Sequence, residues 1–88
     1  MKAGIAMSIG ERIKYFRNLR GMAQKWLGMA VGFDENTADV RIAQYETGAR
    51  SPREGVLSGI AAVLGVSPAA LDVLKIDSLT GLAHTFFS

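Results

Sequence analysis

The chain has no cysteine. That excludes a disulfide framework and a thiolate metal site, and it fits a reducing cytoplasm. It has a single histidine, His84, with no second histidine or cysteine to share an ion, so no metal site is expected. Its two prolines, Pro52 and Pro68, each follow a serine, which is how helices begin rather than how they break. No apolar run approaches the ~18–20 residues that a membrane span needs. Strand-like alternation of useful length is missing as well. No nucleophile, base and orienting group converge, and no Gly-rich phosphate loop occurs. An enzyme is therefore not expected, nor a cofactor. The opening MKAGIAMS is too short for a secretory signal and reads as an unstructured arm, with Met7 an alternative start.

What is present is helical periodicity in a chain of 88 residues, 49% of them apolar. A domain this small buries only roughly 60–65% of its unfolded surface, so its core must be efficient. The expected class is all-α. The first helix opens with a capping box in which Ser8 and Glu11 satisfy each other's amides. Ile9, Ile13, Phe16 and Leu19 follow at helical spacing, and Gly21 ends it. Arg17 lies near this apolar stripe, where an arginine either snorkels or pairs with a buried carboxylate. A fourth helix is expected from Ser51 as N-cap, with Pro52 at the first position and Glu54 completing a box, and with Leu57, Ile60, Ala61 and Leu64 as its core stripe. Ser67 and Pro68 repeat the device for a fifth helix burying Leu71 and Leu74. Residues 77–88 can form a sixth, with Leu79, Leu82, Ala83, Phe86 and Phe87 on one side for packing or dimerisation.

The chain is organised around Gln24–Glu46, which reads as two short helices joined by a turn. Gln24–Val31 carries Leu27 and Val31 on one side, and Gly32 ends it, since glycine takes a left-handed C-cap without steric cost. Ala23 gives this helix no capping side chain. Gly28 in its interior makes sense if another helix crosses closely there. The second helix runs from about residue 36 to Glu46, with Asp34 or Asn36 as alternative caps and Gly48 as its end. Ile42 and Tyr45 anchor it, while Val40, Ala43, Gln44 and Thr47 point away. Asn36 and Thr37 join that outward face if the helix extends back so far. Arg41 falls on a flank and Asp39 nearer the buried side. Two helices in so few residues cannot bury a core alone. They suit a helix-turn-helix carried by other helices, with the second free to enter a DNA major groove.

Net charge is only +2, but its distribution is uneven. Arg12, Lys14, Arg17, Arg20 and Lys25 precede or open the paired helices, and Arg50 and Arg53 follow them. These are places where phosphate contacts would be wanted, although a solvated helix face explains the charge equally well. Asp34, Glu35 and Asp39 form an acidic stretch between them.

With IGERIKYFRNLRGMAQ, then LGMAVG, then IAQYETGARSPR, then IAAVLGVSPAAL, residues 8–74 resemble the Cro/phage-repressor (XRE-type) helix-turn-helix family of transcriptional regulators. The resemblance implies a five-helix repressor-like DNA-binding domain over 8–74; it stops short of residues 75–88, the tail whose helix is read from its apolar spacing. It implies that Gln24 binds a phosphate or braces the recognition helix. Asp39, Val40 and Gln44 would face base edges, and a Gln44 amide suits adenine N6 and N7. Arg41 would reach a phosphate or a guanine, and Arg50 and Arg53 would grip the backbone. Arg17 and Glu46 would form a buried ion pair fixing the recognition helix. The sequence departs from the family at Ala23, at Gly28, and by about four extra residues within Phe33–Ala38.

The function so implied is sequence-specific binding of double-stranded DNA by a homodimeric, cytoplasmic transcriptional regulator, with repression the usual outcome. No small-molecule ligand is expected. The alternative is a protein-interaction module on the same fold, a co-regulator or antitoxin-like component using the acidic stretch and the apolar tail.

Overall fold

The computed structural model describes residues 7–72. Residues 1–6 of the expected arm MKAGIAMS, Leu74, His84 and the tail helix all lie outside them. The described residues form five α-helices and no strand: α1 Ile9–Leu19, α2 Gln24–Ala30, α3 Ala38–Thr47, α4 Glu54–Leu64 and α5 Pro68–Leu71.

The capping box of α1 forms as expected. The Glu11 amide donates to Ser8 Oγ at 3.1 Å and the Ser8 amide to Glu11 Oε1 at 2.8 Å. The buried line along α1 is Gly10, Ile13 and Arg17. Leu19, expected on the core stripe, is 59% exposed. Six residues beyond Ile13, it lies about 120° round the helix from that residue and farther still from Gly10 and Arg17.

α2 ends one residue earlier than expected, with Val31 at its cap, and Gly32 takes φ 101°. α3 ends at Thr47, and Gly48 adopts φ 86°. Its start corrects the expectation that Asp34 or Asn36 caps a helix from about residue 36. The cap position is Thr37, without a side-chain cap bond. Asp34 instead closes a turn ahead of the helix. Its carboxylate accepts the Asn36 amide at 3.0 Å, and its carbonyl accepts the Thr37 amide at 3.0 Å.

α4 also begins later than expected. Its N-cap is Arg53, without a side-chain bond, and Ser51 stands outside the helix rather than at its cap. Residues 50–52 are used to carry the chain across the start of α1, where Pro52 lines a shallow cleft with Ser8, Ile9 and Tyr45. Ser67 caps α5 by position, with Pro68 at its first turn, but its hydroxyl makes no cap bond.

The core draws on every helix. Ile13, Leu27, Ile42, Ile60, Leu64 and Leu71 are fully buried, and Tyr45, Leu57 and Ala61 complete the cluster. Each fully buried aliphatic side chain contributes roughly 1.5–3 kcal/mol. α3 packs against both α1 and α2, while α5 packs on α1 and α4.

Two glycines set the helix spacing. A Cβ on Gly28 would lie 2.5 Å from the Ala38 carbonyl oxygen and 2.7 Å from its Cβ, so α3 crosses α2 there in near contact. A Cβ on Gly10 would strike the backbone at Tyr45 and Glu46, so the other end of α3 lies equally close to α1. The first was anticipated from the sequence and the second was not.

Candidate nucleic-acid interface

α3 presents one face to the core and the other outward. Ala38, Ile42, Tyr45 and Glu46 are buried. Val40 is 51% exposed and Thr47 is exposed, while Ala43 and Gln44 are half-buried. Asp39, expected nearer the buried side, is exposed, and its carboxylate accepts the Val40 amide at 2.9 Å. Asn36 and Thr37 are exposed in the turn before the helix rather than on its face.

Behind this face is a polar knot. Arg17 Nε donates to Glu46 Oε2 at 2.6 Å and Arg17 Nη2 to Glu46 Oε1 at 3.2 Å. Arg17 Nη1 donates to the Met22 carbonyl at 2.7 Å, and Gln24 Nε2 donates to Glu46 Oε1 at 2.9 Å. Both charged side chains are almost wholly removed from water, 10% and 3% exposed. Gln24 thereby touches the last turn of α3 through the Glu46 carboxylate. The knot ties the end of α1, the start of α2 and the end of α3 together, as a two-pronged guanidinium–carboxylate pair with its remaining donors satisfied can.

The basic segment at 11–25 divides differently from its charge pattern. Arg12 donates to the Ala70 carbonyl at 3.3 Å and Arg20 Nε to the Leu64 carbonyl at 2.8 Å. With Arg17 in the knot, three of the five cations hold α1 to the rest of the fold. Lys25, at the start of α2, lies 3.4 Å from Glu35 in an exposed pair of little energetic weight. Arg50 and Arg53 are exposed. The Arg50 amide donates to the Gln44 carbonyl at 3.1 Å, which folds the following loop back beside the last turn of α3.

Sequence reasoning also missed an aromatic contact beside α3. The Arg41 guanidinium stacks over the Phe33 ring, 4.6 Å from its centre, and Phe33 in turn meets Tyr45 at 6.2 Å between ring centres. The pair spans the extra residues of the turn, where helical periodicity gives no register. Trp26 on α2 is 57% exposed.

Among the described residues no group of three acids, histidines or cysteines could hold a metal ion, and no helix is long and apolar enough to cross a membrane.

Comparison with known proteins follows the same lines. A family described as a helix-turn-helix domain matches residues 8–74. Among solved structures, the transcriptional regulator BswR is similar, with 43% sequence identity and a TM-score of 0.67 over 72% of this chain. The match takes in 61% of the BswR chain, so the shared region is about three fifths of that protein. No curated protein matches the chain.

Proposed function

The chain belongs to the helix-turn-helix domain family, and from that premise we propose that it is a DNA-binding transcriptional regulator of the Cro/phage-repressor (XRE) type. It reads double-stranded DNA by laying α3 in the major groove. The observation that carries this reading is α3 itself, fixed from behind by the Arg17–Glu46–Gln24 knot while Val40, Gln44 and Thr47 remain outward. A helix held at its rear and open at its front is what base reading requires. The similarity to a protein titled a transcriptional regulator supports the same role.

In this reading Gln44 and Val40 meet base edges, and Asp39 accepts from a cytosine or adenine amino group. Asn36 and Thr37 approach the groove from the turn. Arg50 and Arg53 take phosphates, as does Arg41 from the flank. Gln24 contributes by orienting Glu46. The protein acts in the cytoplasm as a homodimer on a near-palindromic site, represses by covering a promoter, and needs neither cofactor nor small-molecule ligand. Its catalytic inventory is empty. Residues 8–74 are the DNA-binding unit and 75–88 the packing or dimerisation element.

Selection of bound sequences from a random duplex library at near-physiological salt tests this. The expected result is an enriched inverted repeat with half-sites ~34–36 Å apart or a multiple of that. No enrichment, with no duplex retained at low salt, overturns it. A protein-interaction role on the same fold is favoured by two features, the exposed Asp34, Glu35 and Asp39 and the exposed Trp26 and Met29 on α2. That role would then be pursued by looking for a bound protein partner.

A further inference from the structure

The turn between α2 and α3 runs from Val31 to Thr37, and its third residue, Phe33, is an aromatic with a specific task. Phe33 is packed against the core beside Tyr45, and its amide donates to the Gly28 carbonyl at 2.9 Å. The ring is therefore fixed at both its backbone and its edge. Over its outer face lies the Arg41 guanidinium, 4.6 Å from the ring centre.

Arg41 Nε is buried without a hydrogen-bond partner, and among the described residues no carboxylate lies within ion-pair distance of Arg41. Arg12 Nε is buried without a partner in the same way, but Arg12 still donates through Nη1 to the Ala70 carbonyl, as Arg17 and Arg20 donate through Nε, whereas the Arg41 guanidinium donates to none of the described residues. A guanidinium stacked on a ring keeps its donors in its own plane, where they can meet a two-oxygen acceptor. It is also restricted before any partner arrives, and ordering a long side chain otherwise costs about two- to tenfold in affinity.

Resting on the DNA-binding reading above, we infer that Phe33 is a positioning residue that holds Arg41 ready for a backbone phosphate at the flank of α3. The assignment to phosphate rather than base follows from place. The outward line of α3 is Val40, Gln44 and Thr47, and Arg41 lies to its side, half-buried, against the turn. A side chain at a helix flank meets the wall of the groove and not its floor. The extra residues of the turn thus place an aromatic platform beside the recognition helix.

The experiment is a double-mutant cycle on the full chain, with Phe33→Leu, Arg41→Gln and both together, and with Phe33→Tyr as the ring-preserving control. Duplex binding is measured over a salt series on the selected site and on an unrelated duplex, and thermal unfolding is followed for each variant. Arg41→Gln is expected to weaken binding to both duplexes and to lower the salt slope by about one ion. Phe33→Leu is expected to lose about two- to tenfold in affinity, to lose little further in the Arg41→Gln background, and to be rescued by Phe33→Tyr. Equal losses from Phe33→Leu in both backgrounds make Phe33 a packing residue only and overturn the inference while leaving DNA binding intact. A change of base preference in Arg41→Gln without a change in salt slope overturns the phosphate assignment. Failure of the parent chain to bind either duplex at low salt overturns the DNA reading and this inference together.

Discussion

Arg17 and Glu46 are full charges held out of water, and neither is tolerable there without the other. Removing one partner of such a pair costs about 3–5 kcal/mol. A domain of this size has on the order of 5–10 kcal/mol in all. Arg17→Ala is therefore expected to lower the urea midpoint sharply, and DNA binding with it. Replacing both, Arg17→Met with Glu46→Leu, should recover most of the loss, because apolar groups of similar volume need no partner. Equal destabilisation by the single and double variants would show that the knot works through Gln24 and Met22 rather than through the pair. Gly28→Ala tests a contact of another kind. The added carbon meets the Ala38 backbone and not the end of a flexible side chain, so overpacking of about 1–3 kcal/mol is expected, read by the same denaturation. On the outward face, Gln44→Ala should leave stability alone and relax base choice at one position of the selected site. Arg53→Glu should weaken binding to every duplex and flatten its salt dependence.

At the scale of single helices, α1 and α2 make a controlled comparison. α1 has a complete capping box; α2 begins at Ala23, whose φ of −76° and ψ of 154° already suit a capping residue that is not there. Ala23→Ser is expected to raise stability by about 0.5–2 kcal/mol, and Ser8→Ala to lower it by a similar amount, both measurable as shifts of the thermal midpoint. An unchanged midpoint for Ala23→Ser would mean that water already satisfies the first turn of α2. Among the described residues, which elements exist was legible in the sequence, because capping residues, terminal glycines and apolar periodicity all act locally. The buried pair of Arg17 and Glu46 was legible through family resemblance. The start of α3 was not, because Asp34 offers the same carboxylate to a helix or to a turn, and only the approach of Ala38 to Gly28 decides between them. The start of α4 was misjudged for the same reason. Ser51 and Pro52 are good capping residues, but the path over α1 takes them first. Phe33 and Arg41 meet across a turn, where neither a period of 3.6 nor of 2 applies.

At the scale of the molecule, the cations of α1 are largely internal fasteners. Arg12 reaches α5, Arg20 reaches the end of α4, and Arg17 reaches α3. A net charge of +2 therefore overstates what faces a nucleic acid, and the candidates concentrate at Arg41, Arg50 and Arg53. A modest salt slope is expected, of about three ions per protomer if each of these takes one phosphate. Sedimentation of the full chain with and without its selected duplex checks the homodimer; a single protomer on a full inverted repeat would rule it out.

α3 is held at two points, Ala38 against Gly28 and Glu46 in the knot with Arg17 and Gln24. They lie eight residues, about 12 Å, apart along the helix. Neither point uses Val40, Gln44 or Thr47. Under the DNA-binding reading proposed above, recognition can therefore drift without loss of folding: new targets are reachable by single changes on the outward line, each viable as it arises. The fold acts as a typewriter whose type can be changed without rebuilding the carriage, and duplicated copies of this chain could diverge in target while remaining equally stable.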